Sequence, residues 1–476
     1  MNYLLRNASR FATAIVALGM SLCLAPLGQA QSSVQAAGDS SGAIASATQA
    51  KSTQGQLDDL QKEMDALQRQ IAALKAAQNA PPSIQAASYV QTPAVAPATP
   101  ATDANKVTIA SLLGPTTLSG VIDTYYGYNY NHPFSNESSL VPFNGFTNGF
   151  GLNMAELILD KAPDATTPDG RFGYHVSAGY GQAAYIVNST DTTTDFSNFY
   201  IKEAYGSYLA PVGKGLTISV GKFVTPIGNE VIETSGNWNY TRSILFYYAI
   251  PFDHFGANAK YVFNPKVSFT GYLVNGWNNT VISHQSGVGF SSGLTYGGSL
   301  AITPNAKWSV TENYFAGPVI DAYPTNATTI NDWKQINDTV IGYTPNAKWA
   351  FTINGDYGFG PQGWLCDTGC VKSGPLDKWW GTAGYAKYTI GPKAYFAFRY
   401  EYYEDPQDYT GLGANHAQEA TSTYSYNVTS GLQVRAEYRY DFASSPIFQK
   451  GGSDFVKEQN TATLGFIYSF SSANAR

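Results

Sequence analysis

The sequence predicts an all-β protein, namely a closed antiparallel transmembrane β-barrel of about 16 strands that follows a periplasmic α-helical coiled-coil segment. Three observations predict the barrel. Apolar and polar residues alternate along most of the chain, the links between the alternating runs are short and long in turn, and only 13% of the residues are charged. Ordinary soluble proteins have about 25% charged residues. After residue 30, no apolar run approaches the roughly 20 residues that a membrane helix needs.

Residues 432–442 illustrate the alternation. The even positions are all apolar, and the odd positions are Gln433, Arg435, Glu437, Arg439 and Asp441. Successive side chains of a strand point to opposite faces of the sheet, so one face of this strand is apolar and the other is charged. A closed sheet with lipid outside and water inside accommodates both faces.

The same pattern predicts sixteen strands. They span residues 116–130, 149–161, 171–182, 198–210, 214–224, 248–263, 266–277, 292–303, 306–316, 332–344, 347–359, 379–390, 393–404, 418–428, 431–442 and 459–470. Most alternate links are tight, as at Asn264-Pro265 and Gly391-Pro392, whereas the others are long. The long links are residues 131–148, 183–197, 225–247, 278–291, 317–331, 360–378, 405–417 and 443–458. Outer-membrane barrels have short periplasmic turns and long extracellular loops.

A local repeat supports this arrangement. Residues 303–308 (Thr-Pro-Asn-Ala-Lys-Trp) recur as residues 344–349, two strands later. Pro and Asn are typical of a tight turn. Both copies should therefore lie on the same side of the membrane, where Trp308 and Trp349 would enter the interfacial aromatic belt.

The alternation also predicts which charged residues face the lumen. An Arg or Lys that faces lipid at mid-depth costs about 2–4 kcal/mol. The residues expected to line the lumen are therefore Lys260, Arg399, Glu401, Arg435, Glu437, Arg439 and Asp441. Their mixed sign predicts a tract of alternating charge along the pore. Two positions do not fit the alternation: Asp338 shares a face with Ile336, and Glu312 shares one with Trp308, which predicts bulges or strand ends there.

The N-terminal part has a different composition. Residues 1–30 read as a secretory signal, with Arg6 and Arg10 before an apolar stretch and small residues at the cleavage site. Residues 31–55 are predicted to be disordered, 56–78 to form a coiled-coil helix, 79–114 an Ala/Pro-rich linker and 115–470 the outer-membrane β-barrel.

The coiled-coil prediction rests on an apolar heptad seam that begins at Leu57 and ends at Leu74. Fewer than three heptads make an isolated helix marginal in water, so a single amphipathic helix on the barrel is the alternative. A parallel coiled coil would join several protomers below the membrane, and we expect a homotrimer.

The mature chain would contain two cysteines, Cys366 and Cys370, which an oxidising compartment favours as a loop disulfide. We expect no enzymatic activity, cofactor or metal site. The five histidines are scattered, and no phosphate-binding loop or metal-ligand spacing is present. The net charge of -6 argues against a nucleic-acid partner.

The long segment 225–247 and the adjoining Lys222 are the best candidates for a functional site. Lys222, Glu230, Glu233 and Arg242 lie among Asn, Thr and Tyr residues. Such a loop could fold inward and narrow a pore, its charges setting a transverse field. The alternative is a surface loop in which Arg242 pairs with Glu230 or Glu233.

Several motifs resemble the OmpL-like β-barrel porin family. They are residues 118–126, 221–230, 237–243, 251–256 and 275–277, and the resemblance covers roughly residues 115–470. It implies a Gram-negative outer-membrane channel whose substrate is poorly defined. One departure is the tail after Phe470, since many outer-membrane barrels end on an aromatic residue.

The sequence and the resemblance together predict a porin for passive diffusion of small hydrophilic solutes. Its surroundings would be outer-membrane lipid and lipopolysaccharide. The alternative is a structural anchor that tethers the envelope through its periplasmic coiled coil. A barrel hydrolase would need His, acidic and Ser side chains that converge at the extracellular rim.

Overall fold

We describe the protein from a computed structural model, which covers residues 114–166, 169–190, 197–282, 290–291, 293–321, 330–360 and 376–474. The predicted signal, disordered segment, coiled coil and most of the linker lie outside the described residues, and so do Cys366 and Cys370. Within the described residues, no helix is long and apolar enough to cross a membrane.

Sixteen long antiparallel strands form one closed barrel, as predicted. The first eight are β1 (Thr117–Asn129), β2 (Gly149–Lys161), β3 (Phe172–Tyr180), β4 (Phe199–Ala210), β5 (Leu216–Val224), β6 (Asp253–Asn264), β7 (Val267–Val274) and β9 (Thr295–Asn305). The other eight are β10 (Trp308–Asp321), β11 (Ile330–Tyr343), β12 (Trp349–Gly360), β13 (Asp377–Gly391), β14 (Ala394–Glu404), β15 (His416–Asn427), β16 (Leu432–Ala443) and β19 (Glu458–Ser471). Because β1 pairs with β2 on one side and with β19 on the other, the sheet has no free edge there.

Smaller elements lie in the long connections. The two-residue strand β8 (Phe290–Ser291) pairs with β10, and β17 (Phe448–Lys450) pairs with β18 (Asp454–Val456). Helix α1 (Gln182–Thr190) follows β3, and 3₁₀ turns occur at Asp169–Arg171, Thr234–Gly236 and Ser472–Asn474. The pattern of the sequence had predicted none of these.

All sixteen predicted strands are present, and β2 has the predicted bounds. The start of β6 was predicted wrongly. The predicted strand begins at residue 248, but Leu245–Ala249 forms a π-helical turn inside the barrel and β6 starts at Asp253. The aromatic and apolar residues before Asp253 resemble a strand in sequence because they are buried on all sides.

The two faces of the sheet differ as the alternation predicted. On β14, Phe398 and Tyr400 are 42% and 47% exposed on the outer face, whereas Arg399 and Glu401 between them face the interior and are fully buried. At the short-turn end of the outer face, Trp308 stacks on Tyr343 at 4.2 Å between ring centroids. Trp349 continues this aromatic belt.

Candidate functional site

The segment between β5 and β6, residues 225–252, folds into the barrel, and we call it the inward segment. It leaves β5 through Thr225-Pro226, turns at Gly228 with a positive φ of 91°, and returns through Pro251. Its apolar side chains, among them Ile227, are buried inside the barrel. In the structure this loop therefore lies inside the barrel, which is one of the two arrangements that its sequence left open.

Carboxylates of the barrel wall bind backbone N–H groups of the inward segment. Glu401 of β14 accepts hydrogen bonds from the N–H groups of Ile244 (2.5 Å) and Leu245 (3.0 Å). Glu437 of β16 accepts two more, from consecutive N–H groups that begin at Tyr240. A charged acceptor that binds two amides fixes the backbone more firmly than a neutral one.

Arginines of the same wall bind carbonyl groups of the segment. Arg435 donates to the backbone oxygens of Thr234 and Asn239, each at 2.9 Å. Arg439 donates to the carbonyl of Arg242 at 2.7 Å. Neighbouring side chains of one strand thus satisfy both donors and acceptors of a backbone that has no secondary structure of its own over most of its length.

Arg399 of β14 is the centre of a buried ion-pair network. It binds Glu230 of the inward segment at 2.6 Å, is also paired with Glu419 of β15, and donates to the carbonyl of Thr241 at 2.7 Å. Arg399, Glu230 and Glu419 are all buried. The register of β14 and β15 brings Glu419 beside this arginine, a pairing that the sequence pattern alone had not indicated.

The segment is also bound on the side of β1, β2 and β4. Lys202 of β4 pairs with Glu156 of β2 at 2.7 Å and with Glu233 of the segment. The hydroxyl of Tyr240 donates to Asp123 of β1 at 2.6 Å. The segment therefore contacts a continuous arc of the barrel wall that runs from β14–β16 through β19 to β1, β2 and β4.

Two further contacts fix the beginning of the segment. The N–H of Gly228 donates to Asp338 of β11 at 3.1 Å, and the N–H of Asn229 donates to Asn354 of β12 at 3.0 Å. Asp338, which did not fit the predicted alternation, faces the interior together with the buried Ile336. No bulge is needed there because the inward segment covers both side chains.

Arg242 lies within the segment and is 1% exposed. It donates to the carbonyl of Tyr240 at 2.9 Å and to that of Ile232, and its guanidinium lies 5.1 Å from the ring centroid of Phe143. Burial lowers the pKa of Arg242 below its ordinary value. Among the described residues, Arg242 forms no ion pair with Glu230 or with the segment's other carboxylate, so the alternative of a surface loop closed by such a pair does not hold.

The inward faces of β1, β2, β4 and β11–β16, which bind the segment, form what we call the clamp wall. The inward-facing surface of β5, β6, β7 and β9 around Thr217, Lys260, Thr270 and Ser299 forms the open wall. These four residues pair in one row across neighbouring strands, and the row ends on β10 at the buried Asn313, which donates to the inward segment. Thr217, Lys260, Thr270 and Ser299 are partly exposed, although they face inward.

The predicted site residues therefore divide into groups. Lys260 lies on the open wall and has no ion-pair partner within the described part of the chain. Lys222 pairs with Asp253 at 3.0 Å, where the inward segment leaves β5 and joins β6. The other predicted residues are brought together by the clamp, and they are Glu230, Glu233, Arg242, Arg399, Glu401, Arg435, Glu437, Arg439 and Asp441.

The clamp contains residues that the sequence pattern did not single out, chiefly Lys202, Glu156, Asp123 and Glu419. Each faces the interior, but Asp123 shares that face of β1 with the buried Val121 and Tyr125, so the alternation of the sequence did not mark it as polar. The histidines remain apart. His175 binds Asp160 on β2 at 2.9 Å, whereas His254 contacts Thr225. The inward segment can narrow the lumen. Lys260 gives the open wall a positive charge.

Known proteins provide an independent comparison. The family profile described as "Putative beta-barrel porin-2, OmpL-like" matches residues 115–470. Among curated protein sequences, none matches the chain.

Solved structures with a similar backbone fold include an anion-selective porin from Comamonas acidovorans. It has 11% sequence identity and a TM-score of 0.49, and the match covers 75% of this chain and 99% of that one. The outer-membrane channel DcaP of Acinetobacter baumannii has 14% identity, a TM-score of 0.48, and coverage of 75% and 97%. A trimer form of OmpT from Vibrio cholerae has 12% identity, a TM-score of 0.45, and coverage of 75% and 99%. All three identities are far too low to carry over a solute.

The family profile covers the complete barrel, from before β1 almost to the end of β19, and includes the inward segment and both walls. The chain belongs to the OmpL-like family of β-barrel porins.

Proposed function

We propose that the protein is an outer-membrane porin through which small hydrophilic solutes diffuse passively along the open wall. The observation that carries this proposal is the row from Thr217 to Ser299. Its side chains face the interior and are partly exposed, so water must reach them from inside the barrel. A sixteen-strand barrel is wide enough to leave an aqueous channel.

The two walls would have separate roles. The clamp wall holds the inward segment inside the barrel, which limits the size of a solute. The open wall supplies hydroxyl groups and one cation, Lys260, that a passing solute meets. The alternating charges on Arg435, Glu437 and Arg439 would act on solutes indirectly, because they bind the segment that narrows the lumen.

Conductance across a planar lipid bilayer tests the proposal. The purified protein should give stepwise, ohmic channels, and uncharged sugars of increasing size should enter liposomes at decreasing rates. A protein that inserts without conducting would contradict the porin function and would leave the role of an envelope anchor.

We further propose that the barrel is a homotrimer in the outer membrane, surrounded by lipid and lipopolysaccharide, with its N-terminal segment in the periplasm. The even strand number supports this orientation because it returns both chain ends to the side of the short turns. Protease added to intact cells should leave the N-terminal segment uncut, and protease added after the outer membrane is opened should remove it.

A further inference from the structure

A polar network lies on the outside of the barrel between β10 and β11. The Glu312 carboxylate accepts hydrogen bonds from the Asn337 amide (2.5 Å) and from the Thr339 hydroxyl (2.6 Å). Two residues further along the same strands, the Tyr314 hydroxyl donates to Gln335. Five polar side chains of two adjacent strands thus form one connected patch.

The orientation of Glu312 follows from its neighbours. Asn313 is fully buried and donates to the carbonyl of Pro226 in the inward segment at 3.0 Å, so it faces the interior. Tyr314 is 47% exposed on the outer face, and the register between β10 and β11 is continuous from Trp308 to the end of β10. The β10–β11 ladder has no bulge near Glu312, whereas the β9–β10 ladder shifts register between Trp308 and Val310, and the Glu312 carboxylate faces outward.

The network lies within the hydrocarbon layer. Trp308 belongs to the aromatic belt at the short-turn end, and Glu312 lies four residues above it, which is about 10 Å along the membrane normal for a tilted strand. At the other end, Tyr296 stacks on Trp333 at 6.3 Å between ring centroids. The apolar band of such barrels is about 25 Å tall, so Glu312 and Asn337 lie near its middle.

A carboxylate at this depth is unfavourable against acyl chains, which offer no hydrogen-bond donors. The other carboxylates at similar positions on β11, β12 and β14 avoid lipid because Asp338, Asp356 and Glu401 face the interior. Asn337 and Thr339 of the same barrel bind Glu312, and a polar surface outside the barrel would be a more favourable neighbour for this network than acyl chains.

The surface beside the network is formed by small residues with open space around them. Thr339 is paired with Gly355 of β12, where an added Cβ would meet no atom nearer than 4.0 Å. Next to it, Thr382 of β13 is exposed, and at Gly384 an added Cβ would meet nothing nearer than 3.9 Å. Small residues around hydrogen-bonding side chains are typical of contacts between protein surfaces within membranes, because the backbones can approach closely.

We infer that this surface, made by Glu312, Asn337, Thr339, Gly355 and Thr382 and called here the Glu312 face, is where one copy of the chain contacts another. The inference rests on the proposed homo-oligomer. A second copy fits because the network contains both donors and acceptors. Gln335 accepts through Oε1 and can donate through Nε2, and Asn337 donates to Glu312 and can accept through Oδ1. Acyl chains would supply neither donors nor acceptors.

Native mass spectrometry of the purified full chain in detergent tests the inference. Gly355→Trp fills the shallow centre of the face without an internal clash, since open space surrounds the glycine. Leu157→Trp is the matched control, because Leu157 is 56% exposed on the outer face of β2, on the opposite side of the barrel. We expect the wild type and Leu157→Trp to be trimers and Gly355→Trp to be mainly monomers. The photo-crosslinker p-benzoylphenylalanine at position 382 should link copies, whereas at position 157 it should not.

The outcomes separate the two proposals. A trimeric Gly355→Trp, with crosslinks from position 157 instead of 382, would overturn the Glu312 face and leave the homotrimer standing. A monomeric wild type with no crosslink from position 382 would overturn both. If Gly355→Trp fails to fold, as judged by heat-dependent gel mobility, the crosslinks in an otherwise wild-type chain decide the question.

Discussion

The two walls of the lumen have opposite chemistry. On the clamp wall, charged side chains such as Arg399 and Glu401 are fully buried and bind the backbone of the inward segment. On the open wall, hydroxyl side chains such as Thr270 and Ser299 are partly exposed, and Lys260 is the charged member of their row. The comparison shows that most of the charged residues inside the barrel hold the inward segment in place. Solutes would instead contact the hydroxyl groups and Lys260 of the open wall.

The largest expected difference between the walls is in stability. Arg399→Met should lower the free energy of unfolding by about 3–5 kcal/mol, because Glu230 and Glu419 would lose a buried partner. Lys260→Met should change it by less than about 0.5 kcal/mol, as expected for a partly exposed side chain that has no ion pair among the described residues. Urea titrations of both variants in the same detergent, followed by tryptophan fluorescence, measure the difference. Equal losses would show that the walls do not differ as described.

The second difference concerns the position of the inward segment. Glu437→Ala removes the acceptor of two consecutive N–H groups at Tyr240 and Thr241, so the segment should loosen and the single-channel conductance should rise. Glu404→Ala, at the extracellular end of β14, is the control and should leave the conductance unchanged. An unchanged conductance in Glu437→Ala, with the fold intact, would mean that the clamp does not control the width.

The third difference is in charge selectivity. Lys260→Glu should shift the reversal potential across a potassium chloride gradient towards cation preference. A unit charge at contact distance in water is worth about 1 kcal/mol, and this substitution changes the charge by two units, which corresponds to roughly a thirtyfold change for a univalent ion at low salt. Lys266→Glu, in the short turn that follows β6, should have a smaller effect. A larger shift from Lys266→Glu would move the selective position out of the open wall.

The smallest effect is expected outside the barrel. Deletion of residues 56–78 should leave the single-channel conductance unchanged, because both walls and the inward segment lie within residues 115–470. The size of the oligomer on a native gel then tests the predicted coiled coil separately. A changed conductance would indicate that the N-terminal segment reaches the lumen.

The sequence predicted the barrel because the relevant signals are local. Alternation with a period of two identifies a strand and its two faces, and turn residues such as Pro304-Asn305 and Pro345-Asn346 mark the strand ends. The family motifs lie in the same strands and in the inward segment. These signals sufficed for sixteen strands and for the polar face on which Arg399, Arg435 and Arg439 lie.

The sequence was less informative where a residue's role depends on a distant partner. Glu401 binds the N–H of Ile244, 157 residues away, and Glu437 binds that of Tyr240, 197 residues away. The alternation of apolar and polar residues carries no information about such long-range hydrogen bonds. The π-helical turn Leu245–Ala249 was predicted as strand for the same reason, since apolar residues buried on every side have no polar face.

By itself, the sequence determined the sixteen long strands and, for the clearly alternating ones such as β14 and β16, their two faces, because alternation depends only on the geometry of the extended backbone. Only the tertiary structure decided that the inward face of β14–β16 is covered by residues 225–252, while the row Thr217, Lys260, Thr270 and Ser299 stays partly exposed. Closure of the barrel brings together chain segments far apart in sequence, and their hydrogen bonds determine whether a charged side chain meets a backbone or a solute.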